Sequence, residues 1–116
     1  MTITIYHNAR CSKSRDTLAL LQTKGISPDV VAYLDTPPDA ATLRALLAKL
    51  GLQDARDLMR KGEAEYQNLN LADPALGQDA LIAAMVAHPR LIERPIVVNG
   101  DKAAIGRPPE AVLAIL

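Results

Sequence analysis

The chain has a single cysteine, no tryptophan and no phenylalanine, and only 3% of its residues are aromatic. One cysteine cannot close an internal disulfide or build a multi-cysteine metal site. His7 and His88, the only histidines, have no metal-ligand spacing, so no metal is expected. A free thiol in a reducing, cytoplasmic setting fits that count. So few aromatics leave no surface for stacking nucleic-acid bases. Charge of one sign is also missing: thirteen Lys and Arg balance thirteen Asp and Glu. No global field then attracts nucleic acid or an anionic membrane, and any anion site must be local. No apolar run is long enough to span a bilayer, and the first residues lack the basic start and apolar stretch of a secretory signal.

What is present fits one domain of 116 residues, 49% of them hydrophobic. Thr2 to Tyr6 alternates with the period of a strand, and His7-Asn8-Ala9-Arg10 reads as a loop. Cys11 follows. Ser12 or Ser14 is positioned to cap a helix that runs through Leu18 and Leu21 and stops at Gly25. Asp29 to Leu34 suits a second strand, parallel to the first. Leu43, Leu46, Leu47 and Leu50 recur at helical spacing up to Gly51. Asp54 to Arg60 and Gln78 to Ala87 read as further helices, separated by a loop-rich stretch with at most a helical turn. Pro95 to Val98 and Lys102 to Ile105 flank Asn99-Gly100-Asp101, a hairpin signal, and a last helix starts at Pro108-Pro109. This order predicts an α/β fold: a thioredoxin-like mixed sheet flanked by helices, with an all-helical insertion at about 39–89, in a single domain over 1–116.

The chemistry concentrates at Cys11. A helix N-terminus offers unpaired N–H groups and a partial positive charge, and Arg10, Lys13 and Arg15 add cations. Both favour a thiolate nucleophile, although a lone cysteine also packs well as a small buried hydrophobe. Ser14 stands where a dithiol motif places its second sulfur, so an adduct on Cys11 would need an external thiol to release it. His7, with an ordinary pKa of about 6.5, is placed to orient or deprotonate Cys11, or else to end a strand in solvent. Arg60, Arg94 and Arg107 lie at loop edges. Each alone reads as a solvated surface arginine; together they offer planar paired donors for a tetrahedral oxyanion.

Tyr6-His7-Asn8-Ala9-Arg10-Cys11-Ser12-Lys13-Ser14-Arg15, Tyr33-Leu34-Asp35-Thr36-Pro37-Pro38, Leu58-Met59-Arg60-Lys61, Glu93-Arg94-Pro95-Ile96-Val97-Val98 and Gly106-Arg107-Pro108-Pro109-Glu110 occur in the order of one family. In these blocks the chain resembles the glutathione- and glutaredoxin-coupled arsenate reductases and arsenate-reductase-like proteins. The resemblance implies the thioredoxin-like fold with its helical insertion and a cis Arg94-Pro95 bond. It implies Cys11 as nucleophile, His7 as its supporting histidine, and Arg60, Arg94 and Arg107 around the oxyanion. Arsenate would be reduced to arsenite, with glutathione as co-substrate, glutaredoxin as partner, no bound cofactor and a monomeric protein. Cys11-Ser12-Lys13-Ser14 stands where well-studied members carry Cys-Gly-Thr-Ser. Reduction of a different substrate by the same thiol, and a redox-responsive regulatory protein of the same fold, are the alternatives the resemblance leaves open.

Overall fold

The computed structural model describes residues 2–116, and these gather into two compact units. The first contains the residues up to Thr36 together with Arg94–Leu116. Its four-stranded sheet comprises β1 (Ile3–His7), β2 (Asp29–Ala32), β3 (Ile96–Asn99) and β4 (Lys102–Ile105), in spatial order β2-β1-β3-β4. β1 and β2 are parallel, with Ile5 opposite Val30, whereas β1–β3 and β3–β4 are antiparallel. The α/β class and the mixed thioredoxin-like sheet expected from the element order are thus present.

α1 (Ser12–Thr23) provides the crossover between the parallel strands. Its buried positions Ser14, Thr17 and Leu21 fall three and four residues apart, one stripe of the helix. Gly25 ends it in the left-handed region at φ 76°: its N–H reaches the Gln22 carbonyl at 3.0 Å and that of Ile26 reaches Leu21 at 3.0 Å. That pair of bonds is a Schellman stop, which satisfies carbonyls the helix leaves open. Leu21 meets Ile5, Val97 and Val112 in a fully buried cluster, and Pro109–Ile115 closes it as a 3-10 segment rather than the α-helix expected. The hairpin also shifts by one residue from its expected register. Asn99 pairs with Lys102 as part of β3, which leaves Gly100, at φ 61°, as the first loop residue, where a two-residue turn needs a positive φ.

The second unit, Pro37–Glu93, contains no strand of the sheet. α2 (Ala40–Leu50) starts at Asp39, whose carboxylate accepts the Thr42 N–H at 2.8 Å; this bond holds the Asp39 carboxyl below the usual carboxylate range. Leu43, Leu46 and Leu47 form its buried face. α3 (Ala64–Asn68) is a short helix in the loop-rich stretch, and α4 (Gln78–Ala87) buries Leu81, Ile82 and Met85. Ala55–Leu58, read from sequence as part of a helix, is instead a 3-10 turn held by Asp54, which accepts the Arg56 N–H at 3.0 Å. Among the described residues no helix is long and apolar enough to cross a membrane.

Candidate active site

β1 delivers His7 at its end, and Asn8-Ala9-Arg10 carries the chain into Cys11, the N-cap of α1. Cys11 has extended backbone angles, its carbonyl accepts the Arg15 N–H at 3.0 Å, and its side chain makes no capping bond. The sulfur is therefore carried at the positive end of a helix dipole without being used to close it. Neither serine is the cap expected from the sequence. Ser14 points into the protein instead, because it lies on the buried stripe of α1. Local bonds fix the loop: Cys11 N–H to the Asn8 carbonyl at 3.0 Å, Arg10 N–H to Asn8 Oδ1 at 3.0 Å, and Arg15 Nη1 to the Ala9 carbonyl at 3.0 Å. Arg15 is thereby tied to the loop by its side chain. Cys11 itself is 9% exposed.

Arg107 reaches this sulfur from the far end of the chain. It follows β4, donates through Nε to the Arg94 carbonyl at 2.8 Å, and sets Nη2 at 3.5 Å from Cys11 Sγ. The bond at Nε orients the planar guanidinium, so its edge meets the sulfur in a defined direction. Arg94 is itself buried and contributes that orienting carbonyl. The Arg94-Pro95 bond is cis, as the resemblance implied; Arg107-Pro108 is cis as well, which was not anticipated. Gly106, just before Arg107, donates its N–H to the Pro95 carbonyl at 2.9 Å and packs so tightly that a Cβ there would lie 2.4 Å from Thr17 Oγ1. Thr17 belongs to α1, so Gly106 lets the Arg107 segment press against the helix that carries Cys11.

His7 is hydrogen-bonded through Nδ1 to Ser14 Oγ at 2.6 Å. Burial, and then the charge of Arg15, hold its pKa below the ordinary histidine value. Arg60 belongs to the helical unit. Its guanidinium pairs with Glu63, whose other carboxylate oxygen is 3.7 Å from Arg90 Nη2, and its N–H donates to the Leu91 carbonyl at 2.7 Å. Sequence reading overlooked Ser14 as a partner of His7, Gly106 as a spacer and Glu63 as a partner of Arg60. Only the last had a local signal, opposite charges three residues apart just before α3. Among the described residues no group of three or more His, Cys, Asp or Glu side chains is arranged to hold a metal ion.

A model of the ArsC family matches residues 6–115. The chain is 61% identical to the uncharacterized protein YfgD of Escherichia coli K12, over 98% of this chain and 96% of that one. It is 52% identical to a protein named arsenate reductase from Haemophilus influenzae, over the whole of both chains. Among solved structures, an arsenate reductase from Vibrio cholerae superposes with a TM-score of 0.98 at 55% identity, covering 100% of this chain and 98% of that one.

Proposed function

The chain belongs to the ArsC family, and on that premise we propose that it is an arsenate reductase in which Cys11 is the nucleophile. The observation that carries this reading is the Arg107 guanidinium 3.5 Å from the only sulfur nucleophile, at the N-terminus of α1. Two sources of positive charge, one from a side chain and one from a helix, thus lie beside the sulfur that attacks. The thiolate attacks arsenic, a sulfur–arsenic bond forms, and an arsenate oxygen leaves as water after protonation. Arg107 and Arg94 bind the oxyanion through paired N–H donors, and His7 supports the thiol loop.

Reduction of As(V) to As(III) takes two electrons, and Cys11 supplies one. Glutathione supplies the other: it attacks the adduct, a sulfur–sulfur bond forms as arsenite leaves, and glutaredoxin removes glutathione from Cys11. Ser14 supports this external route, since it occupies the position of a second thiol and is fully buried. The same serine leaves a Cys-x-x-Cys regulatory switch without its second sulfur. We place the reaction in the cytoplasm and in a monomer, with no bound cofactor.

The test is arsenite formation with glutathione and glutaredoxin, with thioredoxin alone, and with the Cys11→Ser variant, together with intact mass after acid quenching. Turnover that needs glutathione, is lost in Cys11→Ser and leaves a glutathione or arsenic adduct on Cys11 is the expected result. Robust turnover with thioredoxin alone and no added mass overturns the monothiol route.

A further inference from the structure

We propose that Ser14 is a positioning residue: it donates its hydroxyl hydrogen to Nδ1 of His7, holds the imidazole as the neutral Nε2–H tautomer, and ties that ring to the loop presenting Cys11. Ser14 is fully buried, so its hydroxyl must find its partners within the protein. Oγ accepts the Asn8 N–H at 3.0 Å and lies 2.6 Å from His7 Nδ1. A hydroxyl has one hydrogen and two lone pairs, and a backbone N–H can only donate. Asn8 therefore uses a lone pair. Among the described residues the hydroxyl has no third partner, so the acceptor for its hydrogen is Nδ1. The reverse arrangement, with Nδ1–H donating to oxygen, strands a buried O–H without an acceptor, which is the costlier state.

The electrostatics agree. Burial and Arg15 both disfavour the imidazolium. Two further charged residues, Arg10 and Asp35, line the same cavity of about 320 Å³ as His7. The bonds continue from the ring: the Asn8 peptide that donates to Ser14 is followed by the Asn8 carbonyl, which accepts the Cys11 N–H at 3.0 Å. Ring, serine, asparagine and cysteine thus form one polar chain across the turn from β1 to α1. In that chain His7 is an uncharged donor at Nε2, and the serine has a role beyond replacing a resolving thiol. Its influence on the rate rests on Cys11 being the reacting thiol; the tautomer does not.

The test reads the His7 ring directly by long-range proton–nitrogen correlation in the ¹⁵N-labelled wild-type protein. The expected spectrum at pH 7 shows one tautomer, protonated at Nε2. A ring protonated at Nδ1, or an imidazolium, overturns the proposal whatever Cys11 does. In Ser14→Ala the ring is expected to become a tautomer mixture. Alkylation of Cys11 should slow roughly five- to tenfold, the rate equivalent of about one hydrogen bond. A folded Ser14→Ala protein with wild-type tautomer and alkylation rate also overturns it; if that variant does not fold, the wild-type spectrum decides. Failure of arsenate turnover with the ring and alkylation results intact refutes the arsenate reading alone.

Discussion

Replacing Gly106 by alanine probes the closest packing in the site. The new Cβ would lie 2.4 Å from Thr17 Oγ1, 2.8 Å from Pro95 Cγ and 3.1 Å from Thr17 Cγ2. None of these atoms is the far end of a flexible side chain. Thr17 is fully buried and its hydroxyl donates to the Lys13 carbonyl at 2.8 Å, while Pro95 is buried in its ring. Relief requires either α1 to move away from the segment after β4 or Thr17 to rotate and give up its bond. Overpacking of this kind costs about 1–3 kcal/mol, and the broken bond adds about 1 kcal/mol. A loss of about 2–4 kcal/mol is therefore expected. At about 2.1 cal/mol/K of unfolding entropy per residue, Tm should fall by about 8–16 °C. Thermal unfolding followed by circular dichroism measures it. In a Thr17→Ala background the same substitution should cost less, by at least about 1 kcal/mol, because the nearest atom has gone. A Tm within about 2 °C of wild type, or additive costs in the double variant, refutes the reasoning.

Arg107→Lys keeps the charge but loses the planar fork, so arsenate binding should weaken by about 1.5–3 kcal/mol, read from KM; an unchanged KM would show that the guanidinium edge is not used. His7 is held below the ordinary histidine pKa in the folded state, so the unfolded chain takes up its proton first as pH falls. Stability should be full above about pH 6.5 and decline as pH drops through the folded-state value; urea unfolding at several pH values checks this, and an identical pH slope in His7→Gln would sink it. Glu63→Gln removes the carboxylate that engages Arg60, so the KM for arsenate should fall if Arg60 binds the oxyanion, and an unchanged KM would place Arg60 outside that role.

Much of this fold was readable because it is written in local periodicity. The alternation before His7, the leucines of α2 and the glycines at 25 and 51 carry their structural meaning within a few residues. The departures occur where a residue chooses between a local and a distant partner. Ser14 has the chemistry of a helix cap, yet it bonds to His7 because the end of β1 lies against the buried stripe of α1. Asn99 has the chemistry of a turn residue, yet pairing with Lys102 draws it into β3, and its side-chain amide donates to the Ile115 carbonyl at 2.6 Å. Asp54 caps a 3-10 turn, which local pattern does not distinguish from the start of an α-helix. In the site, Cys11 stood out by its position at a strand-to-helix junction, whereas Arg107 alone read as a solvated surface arginine and gained a role only beside Arg60 and Arg94 and through the family resemblance. No pattern within a window of the sequence links residues 96 positions apart.

That separation gives the thiol a history as well as a location. Translation makes Cys11 and its helix early, but the guanidinium beside its sulfur does not exist until residue 107 has been added and β4 has paired with β3. Until then the nascent chain carries Cys11 without the Arg107 guanidinium beside it. The pairing of sulfur with guanidinium belongs to the folded protein alone, so a copy truncated before residue 107 or misfolded does not bring the two together.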